Sequence, residues 1–144
     1  MNLVLDASVV IKWYIEEDLL EPALCLKERA KAGSVSVAVP RFFFVEAANV
    51  LWKKVALGKG SDLKRSDAKG IFSRILDLPF QVIEDDEILL KALDLSLDHS
   101  MSIYDGMYLA SALRFKASFV TADNVLVRRL AGSSLADHVS YLGG

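Results

Sequence analysis

Short apolar runs alternate with segments of helical periodicity along almost the whole chain. Runs of strand type lie at residues 2–5, 34–39, 80–83, 117–121 and 139–142, with helical patterns between them. Strands that are separated by helices pair in parallel through right-handed crossovers. The alternation therefore predicts an α/β fold, a three-layer α/β/α sandwich around a central, mostly parallel sheet of four to five strands.

The predicted helices fill the gaps between these strands. They lie at residues 9–15, 19–32, 41–57, 61–76, 85–98, 104–115 and 124–130. Pro40 is expected to stop the second strand, and Gly58-Lys59-Gly60 breaks the pattern between the two helices that follow it. Those two helices are expected to form a helical hairpin.

The composition favours one domain spanning residues 1–144 with an apolar surface left over. Hydrophobic residues make up 53% of the chain, and the mean hydropathy is +0.32, which is more apolar than a typical domain of this size. We expect the excess to serve self-association.

The longest uncharged stretch, residues 32–40, is too short to cross a membrane. The lone Cys25 is expected to be a small buried hydrophobe, and the cytoplasm is the expected compartment.

The charge balance excludes a protein that holds nucleic acid by its overall charge, because the net charge is −2. The predicted hairpin has a local surplus of positive charge, because seven basic residues and two acidic residues lie between Lys53 and Arg74. This surplus fits either a solvated helical face or a surface for nucleic acid. On the second interpretation, Lys53 and Lys54 contribute to nucleic-acid affinity.

Four carboxylates lie where predicted strands end or predicted helices begin. Asp6 ends the first strand, Asp123 follows the fourth, Asp105 lies in the first turn of a helix, and Glu46 lies about one turn into another. Glu46 shares a narrow polar stripe with Asn49 in an apolar helix. Because functional groups gather at the carboxyl ends of parallel strands, we expect all four acids to face one edge of the sheet.

A divalent cation would relieve the repulsion among four neighbouring carboxylates. All-oxygen ligation favours Mg²⁺ or Mn²⁺, since the possible zinc ligands Cys25, His99 and His138 are far apart in the sequence. Such a site suits phosphodiester hydrolysis, in which the metal activates water and stabilises charge on the phosphoryl oxygens.

Each of these acids also has a purely structural interpretation. Asp6 and Asp123 are suitable helix caps, and Asp105 is placed to complement a helix dipole. Ser8 and Thr121 lie near the predicted strand ends, where they either cap turns or donate to a carboxylate or phosphate. Tyr104 and Tyr108 fit core packing first and a base-stacking platform second.

The ordered set of motifs resembles the PIN domain family, most closely the VapC toxins of prokaryotic toxin–antitoxin pairs. The motifs are Leu5-Asp6-Ala7-Ser8, Glu46-Ala47-Ala48-Asn49-Val50-Leu51, Tyr104-Asp105-Gly106-Met107-Tyr108-Leu109-Ala110 and Thr121-Ala122-Asp123. The resemblance covers nearly the whole chain.

This resemblance implies a Mg²⁺- or Mn²⁺-dependent endoribonuclease with Asp6, Glu46, Asp105 and Asp123 as its acidic, metal-binding and catalytic site. It also implies an RNA substrate, a homodimer and a cognate VapB-type antitoxin. In the family, a C-terminal segment of the antitoxin wraps over the toxin and can place a basic side chain in the acidic pocket. The apolar excess and the predicted hairpin agree with such a partner.

Other classes compete with this interpretation. A phosphorelay receiver needs paired acids after its first strand and a lysine after a late one, whereas Asp6 stands alone and no lysine follows Thr121. A non-catalytic protein-binding α/β module, in which the acids are only caps, and a PIN-fold nuclease acting on another nucleic acid remain as alternatives. Metal binding would separate the module from the nucleases.

Overall fold

A single parallel sheet forms the centre of the fold. The computed structural model describes residues 1–58 and 62–144, and within these ranges the sheet has five strands. They are β1 (Asn2–Leu5), β2 (Ser36–Pro40), β3 (Gln81–Ile83), β4 (Ser118–Thr121) and β5 (Val139–Tyr141). The strand order is β3-β2-β1-β4-β5, and every neighbouring pair is parallel. The predicted parallel sheet is confirmed.

Helices connect all consecutive strands. In the described part of the chain they are α1 (Ala7–Val10), α2 (Leu20–Lys31), α3 (Phe43–Ala56), α4 (Arg65–Leu76), α5 (Asp86–His99), α6 (Ile103–Arg114) and α7 (Asn124–Leu130). Short 3₁₀ turns follow α1 at Ile11–Trp13 and precede β5 at Ala136–His138. No helix in these ranges combines the length and the apolar character needed to cross a bilayer.

The direction of the connections places the helices on two faces. From β1 the chain moves to β2 and β3 on one side, and it then crosses to β4 and β5 on the other. Right-handed crossovers therefore put α1–α4 on one face of the sheet and α5–α7 on the opposite face. Helix α6 packs across β1, β2 and β4. The three-layer α/β/α sandwich is confirmed, and the strand order reverses between β1 and β4.

Strand β1 lies in the middle of the sheet and of the core. Leu3, Val4 and Leu5 are all buried, because β1 pairs with β2 on one side and β4 on the other and has helices over both faces. A continuous apolar run is the pattern expected of a strand that is covered on both faces. Asp6, the first residue after β1, is the first charged residue of the chain and is itself buried.

Helices α3 and α4 pack against each other as the predicted hairpin. The second helix begins at Arg65 rather than at residue 61, since residues 62–64 are not helical. The backbone N–H of Lys64 donates to Oδ2 of Asp67 at 3.1 Å, which stabilises this start of the helix. Lys59, Gly60 and Ser61, which include most of the predicted break, lie outside the described residues.

Three further details differ from the predictions. The predicted helix at residues 9–15 is the four-residue α1 followed by the 3₁₀ turn Ile11–Trp13. Pro40 is the last residue of β2, paired with Ile83, rather than a residue beyond it. Cys25 is exposed, not buried, because Ala23 and Leu26 form the buried side of α2.

Gly106 sets the close approach of α5 and α6. A Cβ atom at this position would lie 2.5 Å from Oγ of Ser96 and 2.7 Å from the backbone oxygen of Ala92. The backbone of α5 cannot move aside without disturbing the packing of Ala92 and Leu95, which are buried. Gly106 therefore fixes the position of the first turn of α6, in which Asp105 lies.

We expect Gly106→Ala to lower the free energy of unfolding by about 1–3 kcal/mol, because the added methyl group overpacks the helix interface. Gly70 in α4 is the matched control: a Cβ there meets nothing within 4 Å. Gly70→Ala should raise the free energy of unfolding by about 0.5–1 kcal/mol through helix propensity. Urea denaturation measures both changes. Equal or greater stability of Gly106→Ala would show that α5 and α6 are not in close contact.

Candidate functional site

Asp6 is the first residue after β1 and is only 7% exposed. Its carboxylate accepts from three donors: Oγ of Ser8 at 2.5 Å, Oγ1 of Thr121 at 2.6 Å and the backbone N–H of Val9 at 3.2 Å. The bond from Val9 makes Asp6 the N-cap of α1, and the bond from Thr121 ties the end of β4 to the end of β1. Asp6 is thus a cap and is also fixed at the point where strand order reverses.

Glu46 lies in the first turn of α3 and is half-buried. Burial, together with the nearby charges of Asp6 and Asp105, raises the pKa of Glu46 to about 7, against the opposing effects of the nearby Ala7 amide and Tyr108 hydroxyl. The Glu46 carboxyl is therefore partly protonated near neutral pH. Asn49, one turn later on α3, is exposed.

The Tyr108 hydroxyl faces the Glu46 carboxylate from α6. Tyr108 is 1% exposed, and its ring stacks on Phe119 with centroids 5.2 Å apart. Burial and the charges of Glu46 and Asp6 raise the pKa of the Tyr108 hydroxyl, so it remains a proton donor. Within residues 1–58 and 62–144, no acceptor completes a well-aligned hydrogen bond with this hydroxyl, although it lies within reach of Glu46.

Asp105 lies in the first turn of α6, whose N-terminus reaches the same edge as Asp6. Ser102 caps this helix by accepting from the backbone N–H of Asp105 at 3.1 Å. Burial and the charge of Asp123 raise the pKa of Asp105, against the opposing effects of Ser102 and Arg129. Asp105 is thus half-buried beside other negative charges, and helix-dipole complementation alone does not account for that environment.

Asp123 is exposed and is the N-cap of α7. Its Oδ1 atom accepts from the backbone N–H groups of Val125 and Leu126 at 2.9 and 3.1 Å. The structural interpretation of Asp123 as a cap is therefore correct. Asp123 also lies close enough to raise the pKa of Asp105, so it occupies the outer side of the same acidic group.

The four acids form a connected electrostatic cluster at the carboxyl edge of the sheet. The charge of Asp105 raises the pKa of both Asp6 and Glu46, the charge of Asp6 acts on Glu46, and the charge of Asp123 acts on Asp105. Burial is the largest cause of the shift at each of the three affected carboxyls. Their pKa values rise because this edge is both desolvated and negative.

The donor set of this cluster fits a hard divalent cation, although its spacing is not that of a closed cage. No group of three or more acidic, histidine or cysteine side chains in the described ranges has the spacing of a metal-binding set. Carboxylates without a counter-charge repel one another, so this spacing is compatible with an open site. Magnesium is commonly held by one or two carboxylates with several waters, which an open acidic edge can accommodate.

Three supporting side chains, those of Ser8, Thr121 and Tyr108, lie beside the acids. Ser8 and Thr121 both donate to the Asp6 carboxylate, which is one of the two roles expected of them. Tyr108 packs in the core as expected, but its hydroxyl reaches Glu46. Asp105 and Tyr108 are three residues apart, so both lie on one side of α6. This spacing is the sequence signal that places the Tyr108 hydroxyl near the acids.

Helix α3 has two lysines in its last turn, of which Lys54 forms an ion pair and Lys53 is exposed. Nζ of Lys54 lies 2.8 Å from Oε2 of Glu17, and Nζ of Lys12 lies 3.1 Å from its Oε1. Burial alone would raise the pKa of Glu17, but the bonds and charges of both lysines outweigh it and lower that pKa. Lys54 is therefore used inside the protein, while Lys53 has an exposed side chain available for a phosphate.

This fold and its acidic edge agree with the family suggested by the sequence motifs. The model of the PIN domain family matches residues 3–132, which is most of the chain. The chain therefore belongs to the PIN domain family.

Relatives of known name or structure extend this result. The chain is 28% identical over 131 residues to Ribonuclease VapC3 of Pyrobaculum aerophilum, covering 90% of this chain and 95% of that protein. The crystal structure of PAE2754 from Pyrobaculum aerophilum superposes with a TM-score of 0.68 at 21% identity, over 99% of this chain and 85% of that one.

A second solved structure has the same fold. A toxin–antitoxin complex from Klebsiella pneumoniae contains a chain with a TM-score of 0.66 at 16% identity, over 97% of each chain. At this identity the likeness shows a shared fold.

We expect Glu46→Gln to stabilise the metal-free protein at alkaline but not at acidic pH. The folded pKa of Glu46, about 7, lies above the ordinary 4.5, so the charged form opposes folding. The gain should be absent below pH ~4.5 and should reach about 1–3 kcal/mol above pH ~7. Urea denaturation in EDTA at several pH values measures it. Glu87→Gln, in the exposed first turn of α5, is the control, and a pH-independent effect of Glu46→Gln would contradict the assigned environment.

Proposed function

We propose that the protein is a metal-dependent endoribonuclease of the VapC type, the toxin of a toxin–antitoxin pair. The observation that carries this proposal is the convergence of Asp6, Glu46, Asp105 and Asp123 at the edge where the strand order reverses. Membership of the PIN domain family and the similarity to Ribonuclease VapC3 support RNA as the substrate. Its place of action would be the cytoplasm.

The proposed metal is Mg²⁺ or Mn²⁺, and Asp6, Glu46, Asp105 and Asp123 would hold it directly or through water. When bound, the ion supplies an activated water and stabilises negative charge on the phosphoryl oxygens of the RNA. Asp6 provides the fixed oxygen ligand, because Ser8, Thr121 and Val9 hold its carboxylate in one orientation. Hydroxyl groups that donate to a metal-binding carboxylate in this way set its orientation.

Glu46 is suited to holding and releasing a proton. In the metal-free protein its pKa of about 7 allows its carboxyl to exchange a proton at neutral pH, and a bound cation would displace that proton, because a carboxylate that ligates a metal must be deprotonated. The Tyr108 hydroxyl lies beside the Glu46 carboxyl and can act as a further proton donor there. Asp105 and Asp123 approach from the helices on the other side of the edge, so that the phosphodiester would lie between the two groups.

Two exposed features near the acids are suited to RNA. Tyr104, next to Asp105, is 61% exposed, and its ring packs on Phe42 with centroids 5.7 Å apart. A base can stack on such a partly supported aromatic ring without regard to sequence. Lys53 projects from the same helix as Glu46 and can contact the phosphate backbone.

The groove between α3 and α4 is the proposed binding surface for a cognate VapB-type antitoxin. It has a volume of 420 Å³ and is lined by Leu51, Trp52, Val55 and Phe72, with Lys69 at its border. Trp52 is 57% exposed, a large apolar area to leave uncovered. An apolar peptide segment with acidic flanks would cover this groove and pair with the basic border.

Helix α5 offers a surface for a homodimer. Its inner side, with Ile88, Ala92 and Leu95, is buried, and its outer side carries four exposed leucines. These are Leu89, Leu90, Leu93 and Leu97, which are 50–72% exposed and lie on one stripe of the helix. A continuous apolar stripe of this kind is typical of an interface between copies of one chain.

The nuclease proposal is tested by Asp105→Asn and Glu46→Gln. We expect each variant to lose at least about 100-fold of Mn²⁺-dependent RNA cleavage, because each removes an anionic oxygen from the cluster. The folded structure should be retained, since repulsion within the cluster decreases. Asp86→Asn is the matched control, because Asp86 also lies in the first turn of a helix, α5, but is not one of the four clustered acids. Cleavage of labelled RNA with and without EDTA gives the rates.

Full activity of either cluster variant would contradict the proposed site. Failure of calorimetry to detect Mn²⁺ or Mg²⁺ binding at millimolar concentration would favour the alternative, a non-catalytic protein-binding module whose acids only cap helices. Cleavage of DNA in preference to RNA would retain the site and change the substrate. Asp6→Asn is less informative, because Asp6 also accepts three hydrogen bonds in the core.

The homodimer is tested by replacing two leucines of α5. We expect the wild-type chain of 15.8 kDa to sediment at twice that mass, and Leu90→Glu with Leu97→Glu to sediment as a monomer. The two charges would be buried without partners in the dimer. Leu57→Glu with Leu76→Glu, at exposed leucines of the helical hairpin, is the control. A wild-type monomer, or a dimeric α5 variant, would contradict this surface.

A further inference from the structure

A second pocket lies at the opposite edge of the sheet from the four acids. It has a volume of 410 Å³ and is bordered by the amino-terminal residues of three strands: Asn2 of β1, Ser36 of β2 and Gln81 of β3. Because β1 extends by about 3.3 Å per residue, Asn2 at the mouth of the pocket lies roughly 13 Å from Asp6, and none of the four acids lines the pocket. It is therefore separate from the proposed nuclease site.

The inner surface of this pocket is aromatic. Trp13, Phe80 and Phe115 line it, and the rings of Trp13 and Phe80 meet edge to face with centroids 5.9 Å apart. A volume of this size falls within the range of small-molecule sites, and aromatic walls favour a flat apolar body. The pocket is thus shaped for a small ligand rather than for a polypeptide segment.

Two lysines border the pocket, and a neighbouring arginine adds to the positive charge. Lys27 and Lys31 both line it, and Lys27 and Arg74 lie over the ring of Tyr14, with Nζ 4.6 Å and Cζ 5.9 Å from its centroid. Lys31 pairs with the exposed Glu28. Neither Lys27 nor Arg74 has a carboxylate within ion-pair distance among residues 1–58 and 62–144.

The charge imbalance at this border affects Lys27 itself. Its Nζ donates to the backbone oxygen of Trp13 at 3.2 Å, which holds the ammonium group at the pocket. Burial and the positive charges of Lys31 and Arg74 lower the pKa of Lys27, against the effect of Glu28. An anion at this border would supply the missing counter-charge.

Trp13, which lines this pocket, carries a buried indole N–H donor. Its side chain is 5% exposed, and its indole N–H finds no acceptor in the described part of the chain. A buried N–H without an acceptor is unfavourable, which is a physical reason to look for a partner from outside the chain. A ligand or water that enters beside Trp13 would supply an acceptor.

We propose that this pocket binds a flat organic anion of about mononucleotide size, with its ring among Trp13, Phe80 and Phe115 and its anionic group at Lys27 and Lys31. Aromatic phosphates and aromatic carboxylates share this chemistry. The proposal does not depend on the nuclease activity, because it uses a different edge of the sheet and none of the four acids.

The two tryptophans allow a site-specific test by NMR of ¹⁵N-labelled full-length protein. Trp13 lines the pocket and Trp52 lies on α3, so the indole N–H signals, assigned with Trp52→Phe, distinguish the two locations. The titrants, in EDTA, are adenosine monophosphate, 2-naphthoate, adenosine and inorganic phosphate. We expect a saturable shift of the Trp13 signal with at least one of the first two, and binding at least tenfold weaker with the last two.

Charge variants complete the test. Lys27→Gln with Lys31→Gln should weaken binding at least tenfold, and the exposed Lys31→Gln alone should weaken it measurably if the double variant does not fold. Lys91→Gln on α5 is the control and should bind like wild type. Tighter binding of the phosphate or of the carboxylate identifies the source of the ligand.

Three results would overturn the proposal. The first is no saturable shift of the Trp13 signal with either aromatic anion up to about 10 mM. The second is inorganic phosphate binding as tightly as adenosine monophosphate, which would show an adventitious ion only. The third is unchanged affinity in a folded Lys27 and Lys31 double variant.

Discussion

A buried carboxylate at the junction of β1 and β4 is the constraint on which the rest of the site depends. Asp6 is removed from water, and three hydrogen bonds from Ser8, Val9 and Thr121 make its position tolerable. One of these bonds joins the two strands between which the order reverses. The same three hydrogen bonds therefore cap α1, join β1 to β4 and hold the Asp6 carboxylate oxygens in a fixed position.

The other three acids lie around Asp6, and each is more exposed to solvent than Asp6 is. Glu46 and Asp105 are half-buried, while Asp123 is exposed at the cap of α7. Raised pKa values at Asp6, Glu46 and Asp105 show that the edge is unfavourable for anions in the absence of a counter-charge. Functional sites typically lower the folding stability of a protein in this way, because the groups that carry the chemistry have perturbed pKa values.

The sequence predicted the layers, the parallel sheet and the common edge of the acids, because periodicity and crossover handedness are local or topological rules. It could not predict that Thr121 bonds to Asp6 across 115 residues, or that the Tyr108 hydroxyl reaches Glu46, since both depend on tertiary packing. The exposure of Cys25 had a similar cause, because the packing of α2 buries Ala23 and Leu26 instead, whereas the late start of α4 follows from a local cap at Asp67. The aromatic pocket at the opposite edge had no sequence motif at all.

The most direct test of the central claim is anomalous diffraction from crystals soaked in Mn²⁺. Our account predicts one or two anomalous peaks at the carboxyl edge of β1 and β4, with an oxygen of Asp6 and at least one oxygen of Glu46 or Asp105 about 2.1–2.3 Å from a peak or joined to it by one water. A fully occupied peak elsewhere with none at this edge, or no peak at millimolar Mn²⁺, would contradict it.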